Sequence, residues 1–463
     1  MLSKGAKMSD HLFEYLGTWI TKTSLGDIPS EAINVAKRAM IDYIGVTLAG
    51  EVSPISELLG QYVDQAGQLE ESTLIGRTAK APAETAAFVN AAQGHALDFD
   101  DCNDSMGGHP TIVVLPPALA VGEQVNATGA QLLEAFAIGV EVTCKVGRAL
   151  NYEHYERGWH PTATLGVFGS AGAAAKLMGL DAERTTTALA IAASTSAGLK
   201  ANFGTTTKPI QAGRAAQNGL FAAKLASLEA TANPNAFEHM YGFAPVFNGE
   251  GKYSAELART LGDPWDLQNP GISFKQYPCC ASTHGAIDAT LALRDQISDV
   301  SEITKIRVNP HPRRLPHTDR QVVTTGFEGK FSIQYVTAAA LLRGYVGIND
   351  FEQDAIRDPE VQRLTALVDA SPLPEERWGD DQFACEVTVE LADGTVRHAR
   401  VERPKGNDMN APLTDEEIGR KFFNCCTASG RDESFAEELH GLLLHIDNEP
   451  SLDRLRGLLA VRS

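Results

Sequence analysis

Four stretches of this chain, APAETAAFVNAAQGHAL, GAQLLEAFAIGVEVTCKVGRAL, HPTATLGVFGSAGAAAKLMGLD and AGRAAQNGLFAAKLASLEA, set alanine and glycine among larger apolar residues at helical spacing. Small side chains let helix axes approach closely, since the residues at the contact set the interaxial distance. A fifth stretch, PSEAINVAKRAMIDYIGVTLAG, starts at Pro29 and Ser30 and stops at Gly50. The pattern predicts a body of closely packed helices over residues 1–272.

The character changes after NPGISFKQYPCCASTHG. EITKIRVNP and FACEVTVELADGTVRHARVE alternate β-branched residues with polar ones, and ADGT in the second is a hairpin turn signal. SIQYVTAAALLRG and DPEVQRLTALVDA read as helices between them. Residues 273–407 are therefore expected to form a smaller α+β domain. LTDEEIGRKFFNCC, RDESFAEELHGLLLHI and SLDRLRGLLAVRS are helical again, so residues 408–463 are expected to rejoin the first domain. With 463 residues the chain is too long for one typical core.

A formal net charge of −19 argues against nucleic acid or an anionic membrane as partner, because both demand a positive surface. Any anion must be bound by local charge. Polar residues or glycine interrupt every apolar stretch well short of the roughly 20 residues that span a bilayer, so no transmembrane helix is expected. MLSKGAKMSDHLFEYLG has no apolar core ahead of a cleavage site, so no secretory signal is expected. Seven cysteines, two pairs of them adjacent (Cys279 with Cys280, Cys425 with Cys426), fit reduced thiols and a cytoplasmic setting.

Titratable groups concentrate in HALDFDDCNDSMGGHPTIVVLPPALA, residues 95–120. His95, Asp98 and Asp101 stand three apart and would share a face if the preceding helix continued through them. HExxH, CxxC and adjacent His-Asp pairs are absent from the sequence, and no metal is expected. His109 follows the flexible SMGG and precedes Pro110, a residue suited to the first turn of a helix. An imidazole held there exchanges protons near neutral pH; the plainer reading is a loop histidine that caps the helix. Asp98 fits either an orienting carboxylate or an ordinary helix-end one.

RGWHPTATLGVFG repeats the construction with His160. Two helix starts aimed at one cavity favour a carboxylate ligand. In NFGTTTKPIQAGRAAQNG, Lys208 precedes Pro209, which biases it towards extended backbone, and Arg214 is expected at the beginning of the next helix. A solvated lysine is the alternative. KQYPCCASTHGAID gathers Lys275, Tyr277, Cys279, Cys280 and His284, where a thiol serves as nucleophile, acid or plain buried side chain.

In this order, HALDFDDCNDSMGGHPTIVVLPPALAVGE, GWHPTATLGVFGSAGAAAKLMGLD, TKPIQAGRAAQNGLFAAKLA and KQYPCCASTHGAIDA resemble the MmgE/PrpD family, whose members include 2-methylcitrate dehydratase, cis-aconitate decarboxylase and iminodisuccinate epimerase. The resemblance covers most of the chain. It implies a mainly α fold with a smaller α+β domain: a large all-helical domain formed by both chain ends, and an inserted α+β lid domain. It implies a homodimer working without metal or organic cofactor. By motif position the family's active-site aspartate falls on Asp98, its two His-Pro histidines on His109 and His160, and its lysine on Lys208.

The chain departs from the family's decarboxylases at Cys280-Ala281, where they carry a catalytic histidine, at Cys102, where DDT is common, and in a 102–109 loop one residue longer. These departures point away from decarboxylation. The expected catalytic set is His109, His160, Lys208, Asp98 and Cys280, with Cys102, Arg214, His284 and Arg313 binding substrate. The expected activity is a lyase, a dehydratase of the 2-methylcitrate dehydratase type, acting on a small di- or tricarboxylate by α-proton abstraction. Iminodisuccinate-type epimerisation, cis-aconitate decarboxylation and non-catalytic carboxylate binding are the alternatives.

Overall fold

Alanine and glycine lie where the helices come closest. Between the helices Gly129–Leu150 and Gly166–Leu177, a Cβ on Gly139 would stand 2.7 Å from the Gly169 carbonyl oxygen, and one on Gly169 would stand 2.5 Å from that of Gly139. The computed structural model describes residues 11–65, 69–150, 152–378, 382–407 and 411–460. The segment expected to lack a secretory signal lies mostly outside them.

One apolar core runs from Leu12 to Phe274 and takes in Leu413 to Leu459 from the other end of the chain. The helix Ser30–Ala49 meets Asp415–Ala428, where the space beside Gly45 is filled by Phe422. A second core, from Tyr277 to Val389, joins the helices His284–Arg294 and Ile333–Arg343 to a sheet. The fold is thus mainly α with a smaller α+β part.

A short antiparallel pair, β1 (Ser72–Thr73) and β2 (Lys80–Ala81), lies beside the first core. The main sheet contains β3 (Ile303–Pro310), β4 (Val368–Ala370), β5 (Cys385–Leu391) and β6 (Val396–Val401) in the order β4-β3-β5-β6. Ile306 and Val308 of β3 face Val389 and Val387 of β5, all buried, which fixes the register through one apolar face. The hairpin β5–β6 turns at the ADGT stretch, where Leu391 N–H donates to the Thr395 carbonyl.

Three local expectations are corrected. DPEVQRLTALVDA is helical only over Pro359–Leu367; Val368, β-branched and opposite Ile306, leaves the helix to form the parallel edge strand β4. Lys208 is not extended but sits in the first turn of the helix Thr207–Ser227, where the N–H that Pro209 lacks needs no partner. Arg214 accordingly lies well inside that helix. Among the described residues no helix is long and apolar enough to cross a membrane.

Candidate active site

The helix Ala83–Gly94 stops at His95, and Asp98 takes a left-handed φ of 51°. His95, Asp98 and Asp101 therefore share no helix face, and each aspartate turns to a different task. Asp101 accepts the Thr111 hydroxyl and, at 3.4 Å, the Thr111 N–H at the start of the helix Thr111–Gln124. Burial pushes its pKa up to about 8, so near neutrality it acts largely as a protonated cap. Asp100 lies between two imidazoles, 3.0 Å from His95 Nδ1 and 2.9 Å from His109 Nδ1. Its burial is outweighed by those rings, and its pKa is held well below the usual carboxylate value.

Two glycines bring the His-Pro segments together. Gly107 has a φ of 66°, which favours glycine, and a Cβ on Gly108 would come 2.8 Å from the backbone nitrogen of Thr162. The close approach lets His109 N–H donate to Thr162 Oγ1 at 3.2 Å, two residues beyond His160. His109 and His160 consequently line one cavity of about 340 Å³.

The hydrogen bonds assign the tautomers. Against an ionised Asp100, both His95 and His109 carry the proton on Nδ1. His95 Nε2 then accepts from Lys208 Nζ at 2.7 Å, and burial brings the His95 pKa down to about 4, leaving a neutral ring. Nε2 of His109 is left unprotonated, 3.9 Å from Asp98 Oδ1. Burial also lowers the His109 pKa, so it stands as a neutral base at the cavity wall. His160 hydrogen-bonds Gln211 Oε1 through Nδ1 at 2.7 Å, and its buried Nε2 has no hydrogen-bond partner among the described residues.

Two ammonium groups converge on Asp98 Oδ1, Lys208 at 2.7 Å and Lys275 at 2.9 Å. Burial raises the Asp98 pKa, but the two lysines outweigh it and hold that pKa well below the usual value. Burial opposes charge on Lys275 too, yet Asp98 keeps it above the ordinary lysine value. Arg313, Arg314 and Arg403 form a second cationic group on the same cavity, with the Arg314 guanidinium 3.8 Å from the Phe383 ring centre. Oxyanions therefore meet fixed positive charge at more than one point.

Of the residues singled out from sequence, Asp98, Cys102, His109, His160, Lys208, Cys280 and Arg313 line this cavity. His284 is buried and lines a smaller pocket that shares Cys102 and Lys275 with this one, with Nε2 3.3 Å from the Cys279 carbonyl oxygen. Arg214 is exposed on the helix and bonds Gln217, so it is not among the lining residues; its place in the binding set is corrected. Arg314, Arg403 and the bond partners His95, Asp100 and Lys275 were not in the sequence-derived set. The three aspartates and one histidine of HALDFDD were the available signal for the first two partners.

His95, Asp98, Asp100 and His109 place potential ligand atoms within 4.8 Å of one another. Lys208 and Lys275 already bind Asp98, and Lys208 also takes the free nitrogen of His95. A divalent cation among these ammonium groups would meet strong repulsion, so the donor set does not suit one.

The MmgE/PrpD N-terminal domain matches residues 14–256, and the MmgE/PrpD C-terminal domain matches residues 277–440. The chain belongs to the MmgE/PrpD family. It is an enzyme of that family's lyase type. Its relatives include cis-aconitate decarboxylase of Homo sapiens, 30% identical over 431 residues covering 90% of this chain and 88% of the relative. The cis-aconitate decarboxylase of Mus musculus is 30% identical over 407 residues, 84% and 81% of the two chains. That of Aspergillus terreus is 28% identical over 472 residues, 95% and 94%. In this MmgE/PrpD member Cys280 lies on the cavity wall and burial raises its thiol pKa, so near neutral pH it holds a proton.

Proposed function

We propose that this enzyme moves a proton at a carbon next to a carboxylate of a small di- or tricarboxylate, without metal or organic cofactor. The observation that carries the reading is His109, whose Nδ1 is tied to Asp100 and whose Nε2 is left as a base beside Asp98 and its two lysines. Removing such a proton builds negative charge on the carboxylate oxygens. Lys208 and Lys275 supply the preorganised positive charge that stabilises the enediolate. Arg313, Arg314 and Arg403 bind a further carboxylate. His160 is the second proton-transfer group.

We infer dehydration as the outcome. The imidazoles are neutral and suited to accept the α-proton, and the protonated Cys280 thiol is the group that gives a proton to the departing hydroxyl, which leaves as water. A 2-methylcitrate-type hydroxy acid fits, with loss of its hydroxyl after the α-proton. Decarboxylation of cis-aconitate is the second reading, favoured by the activity named for the relatives. We assign the working form as a cytoplasmic homodimer, with residues 273–407 acting as a lid on the helical domain.

The test is incubation of the enzyme in deuterated water with a panel of small di- and tricarboxylic acids, followed by NMR. Alkene formation with α-deuteration supports dehydration. Carbon dioxide from cis-aconitate replaces it with decarboxylation, and inversion with deuteration but no alkene replaces it with epimerisation. Bound acid that neither exchanges nor reacts contradicts the catalytic reading.

A further inference from the structure

The turn that carries Asp98 receives three buried lysines from three separate places in the chain. Lys330 Nζ donates to the Leu97 carbonyl at 2.8 Å, Lys275 Nζ to the Asp98 carbonyl at 2.7 Å, and Lys421 Nζ to the Phe99 carbonyl at 2.7 Å. Three consecutive carbonyls are thus each held by a lysine Nζ. Lys275 also reaches the Asp98 carboxylate, but Lys330 and Lys421 do not line the cavity. Both are buried.

Each of these two ties the turn to a different part of the fold. Lys330, at the end of the short helix Gly326–Gly329, also donates to the Pro278 carbonyl at 2.8 Å, and its own carbonyl accepts Cys280 N–H at 3.0 Å. One residue therefore joins the Asp98 turn to the Cys280 segment. Lys421 comes from the helix Asp415–Ala428, pairs with Asp42 Oδ1 at 2.6 Å and lies 3.9 Å from the Phe99 ring centre. A left-handed non-glycine residue between these anchors persists only if its surroundings over-determine it.

We propose that Lys330 and Lys421 are positioning residues, which hold Leu97 and Phe99 so that Asp98 stays left-handed and keeps its carboxylate on Lys208 and Lys275. The proposal rests on the proton-transfer reading for its kinetic consequence, but not for its geometric one. Without these anchors Asp98 relaxes towards right-handed backbone, its carboxylate swings off Lys208, and the enediolate-stabilising lysines lose their fixed place. Substrate carboxylates on the arginine side are unaffected.

The experiment compares full-length wild type with Lys330→Met and Lys421→Met, which keep an unbranched side chain one atom shorter and remove its donors. The readouts are kcat and KM on whichever panel acid is turned over, and a crystal structure of each variant. Expected are a kcat at least tenfold lower with KM within about threefold, and an Asp98 that leaves positive φ with Oδ1 beyond hydrogen-bond distance of Lys208. Lys330→Gln, which keeps an N–H donor, is expected to recover part of kcat, and it replaces the Met variant if that one does not fold.

A variant structure in which Asp98 keeps its φ and its Lys208 contact overturns the proposal, as does an unchanged kcat. If wild type turns over none of the acids, the functional reading fails, and the variant structures alone decide for or against the positioning role.

Discussion

Asp100 Oδ2 stands 2.9 Å from Nδ1 of His109, and this contact decides which nitrogen of the ring is free to take a proton. An asparagine at position 100 offers its amide N–H as readily as its carbonyl and stabilises the other tautomer. Asp100→Asn is expected to lower kcat by a factor on the order of 10² to 10⁴ while changing KM little. Steady-state kinetics check this; a kcat within threefold of wild type would remove Asp100 from the proton path.

Lys208 bonds both Asp98 and His95, so its removal strips charge from the site and a donor from a buried imidazole. Lys208→Ala is expected to reduce kcat/KM by roughly 10² or more, the loss typical of one preorganised oxyanion donor. Lys208→Arg tests geometry, since a planar fork cannot meet both partners as a point charge does. It is expected to remain at least tenfold impaired; wild-type kinetics in either variant would leave Lys208 a structural residue.

Arg313 and Arg403 line the cavity, and with Arg314 they supply its second group of cations. Charged hydrogen bonds to a carboxylate contribute about 1.5–3 kcal/mol, so Arg313→Met and Arg403→Met are each expected to raise KM by about tenfold to a hundredfold with kcat less affected. Unchanged KM in both would place the substrate's second carboxylate elsewhere.

Buried imidazoles also give stability a defined pH dependence. Burial brings His95 and His154 down to about 4 and His284 and His317 to about 3, from an ordinary 6.5. Below 6.5 the unfolded chain takes protons at these rings more readily than the folded one, so stability falls as the pH drops from 6.5 towards 4. Asp101, raised to about 8 by burial, and Glu141, raised to about 7 by burial, act oppositely: their stability is lost as the pH climbs through those values. Four imidazoles outweigh two carboxyls on the acid side. Above 6.5 the carboxyls are opposed by Lys330 and Lys200, which burial lowers to about 7 and about 8 and whose contribution to stability rises with pH. Thermal unfolding is therefore expected to show a Tm that rises from pH 4.5 to 6.5. A Tm that stays flat or falls over that range would contradict it.

The helices and the sheet were legible because alanine-rich periodicity and β-branched alternation are local signals. His109, His160 and Lys208 were legible as motif positions. Their convergence was not, because it depends on Gly107 and Gly108 letting one loop touch Thr162, a contact 53 residues apart. His95 and Asp98 would share a face only if the preceding helix ran on past Gly94, where it ends. Arg214 was assigned to the site because its helix was begun too late; in the helix from Thr207 the first turn belongs to Lys208, and the buried stripe through Ala212, Ala215 and Ala216 leaves Arg214 facing the solvent. Arg314 and Arg403 lie in segments without periodicity, where only tertiary structure brings them onto Phe383.

The central claim is that the imidazole of His109 moves the proton next to the substrate carboxylate. The most direct measurement is the rate of α-deuterium incorporation in deuterated water, by NMR, with wild type and His109→Gln at saturating acid. The account predicts exchange in wild type and a rate lower by on the order of 10² or more in His109→Gln, with binding of the acid retained. Exchange at the wild-type rate in His109→Gln would contradict it.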